Sequence, residues 1–314
     1  MLSNNAPTAA LLPPSALGVA PPGRVFNPQS MSWTSPHGTP LPDWRKRTLI
    51  MAIMNLAPDS FSDGGLIGDE TSALVRAEQL LADGADVLDL GAESTRPGAT
   101  PVDAATELAR LLPVVKALRR RFPQVALSVD TYKPAVARAC VEAGADLVND
   151  VEGGRFEARP DESPMGSACA LLRCPLILMH RRAQPDYADF WGEVLQDLRT
   201  SVRLARAAGL PAEQLWTDPG FGFGKTPAQN LMLVRDLSKL AALGYPVLLG
   251  TSRKSTLGLV LGETDPLRRN AGNDVTAAWG IAQGASMLRV HDVAATRPIV
   301  RMADALRHGP TWQP

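Results

Sequence analysis

The sequence has no charge bias: across its 314 residues, 32 Lys and Arg balance 32 Asp and Glu. Neither nucleic acid nor an anionic membrane surface is therefore an expected partner. Long apolar runs are missing too. None approaches the ~20 residues of a membrane span. No basic start leads into an apolar core and a small-residue cleavage site, so the N-terminus does not read as a signal peptide. Cysteine is scarce, with Cys140, Cys169 and Cys174 the only 3. An odd number without metal-type spacing fits reduced, buried thiols and a cytoplasmic location. The 4 histidines form no HxH pair and no CxxC occurs, which speaks against a structural zinc site.

Periodicity is missing from residues 1–46. Prolines at 7, 13, 14, 21, 22, 28, 36, 40 and 42 interrupt every possible helix there. Residues 1–47 are expected to form a Pro-rich extension, disordered or draped over the surface, without chemistry of its own. Met31, inside it, is a candidate true start.

From residue 48 the pattern becomes regular. Apolar runs at 49–54, 86–91, 124–129, 146–149, 175–179, 215–217, 246–250 and 286–290 read as strands. Amphipathic stretches at 72–84, 103–121, 134–143, 189–208, 227–243, 274–284 and 293–306 read as helices between them. Gly-Ala-Asp precedes a strand at 84–86 and 144–146, and Gly-Ala-Ser does so at 284–286. Gly there closes a helix in the left-handed conformation and the chain turns straight into the next strand. About eight βα units in roughly 260 residues is the arithmetic of a (β/α)8 TIM barrel. A doubly wound open sheet would offer a GxGxxG turn after its first strand, and that motif is missing there. The fold class is therefore α/β, with one barrel domain over residues 48–308.

A barrel keeps its chemistry at the C-terminal ends of its strands, and polar residues gather at those positions here. The stretch LIMAIMNLAPDSFSDGG at 49–65 opens as a strand buried on both faces. It ends in Asn55 and a loop holding Asp59, Ser60, Phe61, Ser62 and Asp63. Glu93-Ser94-Thr95-Arg96-Pro97-Gly98 follow the second strand, Asp130 ends the third, and Asn149-Asp150 follow the fourth. Met179-His180 follow the fifth, Asp218 the sixth and Ser252-Arg253-Lys254-Ser255 the seventh, while Arg289-Val290-His291 end the eighth. Singly, each residue reads equally well as a cap, a turn or a surface ion pair; their common position argues for a site.

Asp130, Asn149 and Asp218 would face one crevice, where buried carboxylates need donors or charge partners. A flat heterocycle with an amidine-like edge supplies paired N–H donors, and an Asn amide both donates and accepts. Alternation along a strand puts Arg289 and His291 on one face. With Asn55 opposite, the two suit a pyrophosphate.

DSFSDGG at 59–65, ESTRPGA at 93–99, SVDTYKP at 128–134, ND at 149–150, LMH at 178–180, DPGFGFGK at 218–225, SRKS at 252–255 and RVHDV at 289–293 together resemble dihydropteroate synthase. The resemblance covers residues 48–306 and includes every strand end. It implies condensation of 6-hydroxymethyl-7,8-dihydropterin pyrophosphate with p-aminobenzoate, giving 7,8-dihydropteroate and pyrophosphate in folate biosynthesis. It also implies a pterin pocket of Asp130, Asn149, Met179, Asp218 and Lys254. Asn55, Arg96, Arg289 and His291 would hold the pyrophosphate, with Mg2+ at Asn55. The p-aminobenzoate would lie among Phe61, Thr95, Pro97, Phe223, Lys254 and Ser255. Asp130, Asp218, Lys254, Asp63 and Arg96 would carry the chemistry, and late helices would form a homodimer. Departures from the family pattern are Ala57, Ala92, Glu152, Arg181-Arg182-Ala183 and Thr256.

Two other readings share part of this pattern. A corrinoid-linked methyltransferase would keep the Asp and Asn ring contacts but has no use for STRPG, SRKS or the Arg289–His291 pair. A catalytically silent pterin-binding protein would not need the loops at 56–68 and 92–100.

Overall fold

Eight parallel strands follow one another along the chain: β1 (Leu49–Asn55), β2 (Val87–Gly91), β3 (Ala126–Asp130), β4 (Leu147–Asp150), β5 (Leu176–Met179), β6 (Leu215–Asp218), β7 (Leu248–Leu249) and β8 (Met287–Val290). The computed structural model describes residues 32–57, 69–93 and 100–309. Each strand pairs with its sequence neighbours, in the order β6-β5-β4-β3-β2-β1-β8-β7. A parallel bridge between Thr217 and Val247 brings β7 against β6, so the sheet closes on itself. The strands are short and apolar because both of their faces are covered.

Ten helices are assigned among the described residues: α1 (Glu70–Asp83), α2 (Ala104–Arg121), α3 (Pro134–Ala143), α4 (Pro164–Leu172), α5 (Phe190–Ala207), α6 (Pro227–Arg235), α7 (Ser238–Ala241), α8 (Ser255–Leu261), α9 (Asn270–Ala282) and α10 (Val293–His308). Local sequence sets their ends. Asp69 and Ser72 form a capping box at the start of α1, as do Thr226 and Gln229 at α6. Asp103, Asp189 and Asp292 cap α2, α5 and α10. The expected helix over 227–243 is two, because the chain breaks around Asp236, the C-cap of α6. α4 had no counterpart in the sequence reading. Its PMGSACALL run is mostly apolar and small, so it shows no two-faced pattern.

The larger core lies between sheet and helices, and a second fills the lower barrel. That lower core is built by Leu49, Met51, Val87, Ala126, Leu147, Ile177, Trp216, Leu248 and Met287, and Trp33 belongs to it. Here the structure departs from the expected boundary at residue 47. The Trp33 ring lies 4.7 Å from that of Trp216, and Trp44 meets the same ring edge-on at 5.8 Å. Ser35 donates to Asp146 at 2.6 Å, and the Gln214 amide donates to Thr34 Oγ1 at 2.6 Å. Residues 32–47 thus close the barrel's N-terminal end instead of standing apart from it. A segment with no period can still bury large side chains when its prolines hold it extended across an apolar opening.

Candidate active site

Strand register lines up the upper residues. Asn55 pairs with Gly91, Gly91 with Asp130, and Asp130 with Asn149, while Met179 pairs with Asp218 across β5 and β6. The sequence-derived residues Asp130, Asn149, Met179, Asp218, Phe223, Lys254, Arg289 and His291 line one deep chamber. Its mouth adds Asn55, Glu93 and Ser255. Phe61, Asp63, Thr95, Arg96 and Pro97 lie outside the described residues.

The centre of the chamber is a charge network that runs through a residue the sequence reading passed over. Asp89, fully buried in mid-β2, accepts from Arg289 Nε at 2.6 Å and from the Asn149 side-chain amide at 3.2 Å. Arg289 Nη2 then donates to Asp130 at 2.7 Å. The signal was present: an acid in the middle of DVLDLG, a strand that ought to be apolar throughout. Burial opposes the charge on Arg289, but the Asp89 and Asp130 carboxylates outweigh it and hold the guanidinium above its ordinary range. For Asp130 burial wins, pushing the carboxyl up to about 7 against the pull of Arg289. One carboxyl oxygen each of Asp89 and Asp130 is buried without a hydrogen-bond partner among the described residues. Such acceptors are costly unless a ligand supplies donors.

Across the chamber, burial raises the Asp218 carboxyl, while Lys254 and the Gly220 N–H at 2.6 Å pull it back. Burial likewise lowers the Lys254 ammonium to about 8, against Asp218. Lys254 donates to the Phe221 carbonyl at 2.5 Å, and its Nζ stands 4.7 Å from the Phe223 ring centroid. Ser255 is the first residue of α8. The Ser252 hydroxyl, another residue the sequence reading left without a role, lies 3.0 Å from His291 Nδ1 and orients that ring. The Asn55 side-chain oxygen accepts from the Ala57 N–H at 3.0 Å, which leaves it a second lone pair. Among the described residues no group of three or more His, Cys, Asp or Glu is placed to hold a metal ion.

Two departures noted in the sequence answer each other. The Arg181 guanidinium pairs with Glu152 across the exits of β5 and β4, so the two unusual charges form one contact. Arg182 pairs with Glu193 and Asp197 and lies over the Tyr187 ring.

A closed barrel whose upper chamber holds acids with unsatisfied oxygens, an amide and two cations suits an enzyme acting on a flat, donor-edged heterocycle with an anionic group. The profile of the pterin binding enzyme family matches residues 51–291. The chain is 43% identical over 278 residues to dihydropteroate synthase of Synechocystis sp., covering 86% of this chain and 94% of that one. The solved Xanthomonas albilineans dihydropteroate synthase with 4-aminobenzoic acid superposes at a TM-score of 0.78 with 43% identity, over 84% of this chain and 94% of that chain. The Burkholderia cenocepacia dihydropteroate synthase complexed with 7,8-dihydropteroate does so at 0.73 with 40% identity, over 83% and 92%. The chain belongs to the dihydropteroate synthase family.

Proposed function

We propose that this barrel condenses 6-hydroxymethyl-7,8-dihydropterin pyrophosphate with p-aminobenzoate, giving 7,8-dihydropteroate and pyrophosphate. The enzyme is a transferase of folate biosynthesis. The observation that carries the reading is the unpartnered Asp130 oxygen, buried beside Arg289 at the floor of the chamber. A pterin ring edge brings the N–H donors this acceptor lacks.

In this reading Asp130, Asn149 and Asp218 grip the ring edge, Lys254 donates to it and Met179 packs on its face. Arg289 keeps 21% of its side chain open to the chamber, and with His291, Asn55 and Arg96 it receives the pyrophosphate. The C–O bond to pyrophosphate breaks first, and the electron pair leaves with it. The cationic pterin carbon is stabilised by the ionised Asp218 and its neighbours. The amine of p-aminobenzoate, held among Phe61, Thr95, Pro97, Phe223, Lys254 and Ser255, then forms the C–N bond and releases a proton. Asp63 and Arg96 complete the machinery from the loops after β1 and β2.

One free lone pair on the Asn55 amide fits Mg2+, which takes one or two protein ligands and fills its shell with phosphate oxygens and water. When bound it would neutralise charge on the departing pyrophosphate. We further place the protein in the cytoplasm as a homodimer. No helix among the described residues is long and apolar enough to cross a membrane.

The test is pyrophosphate release from the pterin pyrophosphate, with and without p-aminobenzoate. Release that depends on the amine, with formation of dihydropteroate, is expected. No release would leave a silent binder, and methyl transfer to or from a corrinoid in its place would identify the other barrel class.

A further inference from the structure

Lys225, four residues beyond Phe221, is a half-buried cation that no step above uses. Its Nζ donates to His180 Nδ1 at 2.9 Å, to the Phe223 carbonyl at 2.9 Å and to the His180 carbonyl at 3.3 Å. With His180 Nε2–H turned to the Asp197 carboxylate, Nδ1 is an acceptor, and the three contacts use all three N–H donors of the ammonium. None of the three acceptors is a carboxylate. Burial pushes this ammonium down to about 7 against the attraction of Asp218, and a charge kept in such a place is costly.

His180 is equally committed. Burial and the neighbouring Lys225 push its imidazole down to about 3, so it is neutral near pH 7. Accepting from Lys225 at Nδ1 leaves Nε2–H to donate to Asp197 at 3.1 Å. Lys225, His180 and Asp197 therefore form one line from the loop after β6, through the exit of β5, to helix α5.

That line fastens a loop whose backbone is pressed against β5. A Cβ on Gly220 would come within 1.8 Å of the His180 carbonyl oxygen, and one on Gly224 within 2.0 Å of the Arg182 carbonyl oxygen. Both glycines stand at positive φ, 69° and 61°, so close approach and backbone conformation together demand Gly. Lys225 grips the loop between them, at the carbonyl of Phe223. The same loop presents the Phe223 ring to the chamber, and its Phe221 carbonyl is the hydrogen-bond acceptor of Lys254.

We propose that Lys225 is a positioning residue which, through His180 and Asp197, holds the β6 loop so that Phe223 and Lys254 are set for the second substrate. The inference rests on the function proposed above. It assigns Lys225 no contact with either substrate; its influence is greater on the p-aminobenzoate side, because the pterin keeps Asp130 and Asn149 on β3 and β4 and shares only Asp218 and Lys254 with this loop.

The test uses the full-length Lys225→Met variant, which keeps the side-chain length and loses the three donors. KM for p-aminobenzoate is expected to rise about tenfold and kcat to fall, while affinity for a simple pterin stays within about threefold of the parent. Asp197→Asn, at the half-exposed end of the line, provides the same readout if Lys225→Met does not fold, with an expected rise in KM of about threefold. Unchanged KM in the folded variant, or equal losses in KM and pterin affinity, overturns the proposal, because a purely structural residue would weaken both sites together. If the parent itself fails to form dihydropteroate, the proposed function falls. If the parent is active and the variant is kinetically indistinguishable from it, only this inference falls.

Discussion

Arg289 donates to Asp130 at 2.7 Å, so under the proposed function binding would exchange partners: ring donors for Asp130, an anion for Arg289. Asp130→Asn or Asp218→Asn would put an N–H donor against a ring donor. Each is expected to weaken pterin binding by about 1–3 kcal/mol, roughly 5- to 150-fold in Kd. Calorimetry with a simple pterin measures this, and parental affinity in both variants would refute the assignment. The same residues set a pH profile. Asp130, raised to about 7, is charged above that pH, and Lys254, lowered to about 8, is charged below that one. Pterin affinity is therefore expected to climb as pH rises through about 7 and to decline as it rises through about 8. A flat profile between pH 5.5 and 9.5 would contradict those two roles. Residues at strand ends were legible in the sequence because barrels put function there. Asp89 was not, since it sits two residues short of the end of β2, inside a run that reads as core, and only its contacts with Arg289 and Asn149 reveal its part.

Strand and helix positions were legible wherever the hydrophobic period was clean, as in β1 or α3, whose expected span 134–143 matches Pro134–Ala143. The segment over 32–47 was not, because proline removes any period and hides what the segment does. Its side chains carried the information instead: Trp33, Leu41 and Trp44 are too large and apolar to be left in water. Trp33 is 7% exposed and lies against Trp216 in the barrel floor. Trp33→Ala is expected to cost about 3–5 kcal/mol, the range for truncating a buried aromatic ring. At roughly 2–4 °C per kcal/mol for a chain near this size, the melting temperature should drop by several degrees, and deletion through residue 47 should lower it further. Thermal unfolding of both variants measures the effect. A melting temperature equal to the parent's would mean that the segment lies on the barrel without stabilising it.

At the scale of the whole molecule, exposed apolar side chains gather on one pair of adjoining helices. Leu259 and Val260 on α8 are 68% and 60% exposed, Val275 and Trp279 on α9 are 70% and 50% exposed, and Leu267 between the helices is 51% exposed. Single exposed apolar residues are ordinary on a soluble protein. Here α9 packs beside both α6 and α8, which gathers these side chains on adjoining elements, the pattern of a protein-binding face. A second copy of the chain is the partner we expect there, in line with the homodimer proposed above. The position also bears on catalysis. Ser255 opens α8, and Lys254 is its N-cap. A face that clamps the exposed half of this 7-residue helix would steady the second-substrate pocket at its other end. Leu259→Glu combined with Val275→Glu places two charges in that face and is expected to give a monomer in sedimentation experiments at concentrations where the parent is dimeric. In the monomer KM for p-aminobenzoate should rise by more than pterin affinity falls, because the pterin keeps Asp130 and Asn149 on β3 and β4 and meets α8 only at its N-cap, Lys254. A parent that sediments as a monomer would remove the dimer, and a monomeric variant with parental KM would separate the interface from the pocket.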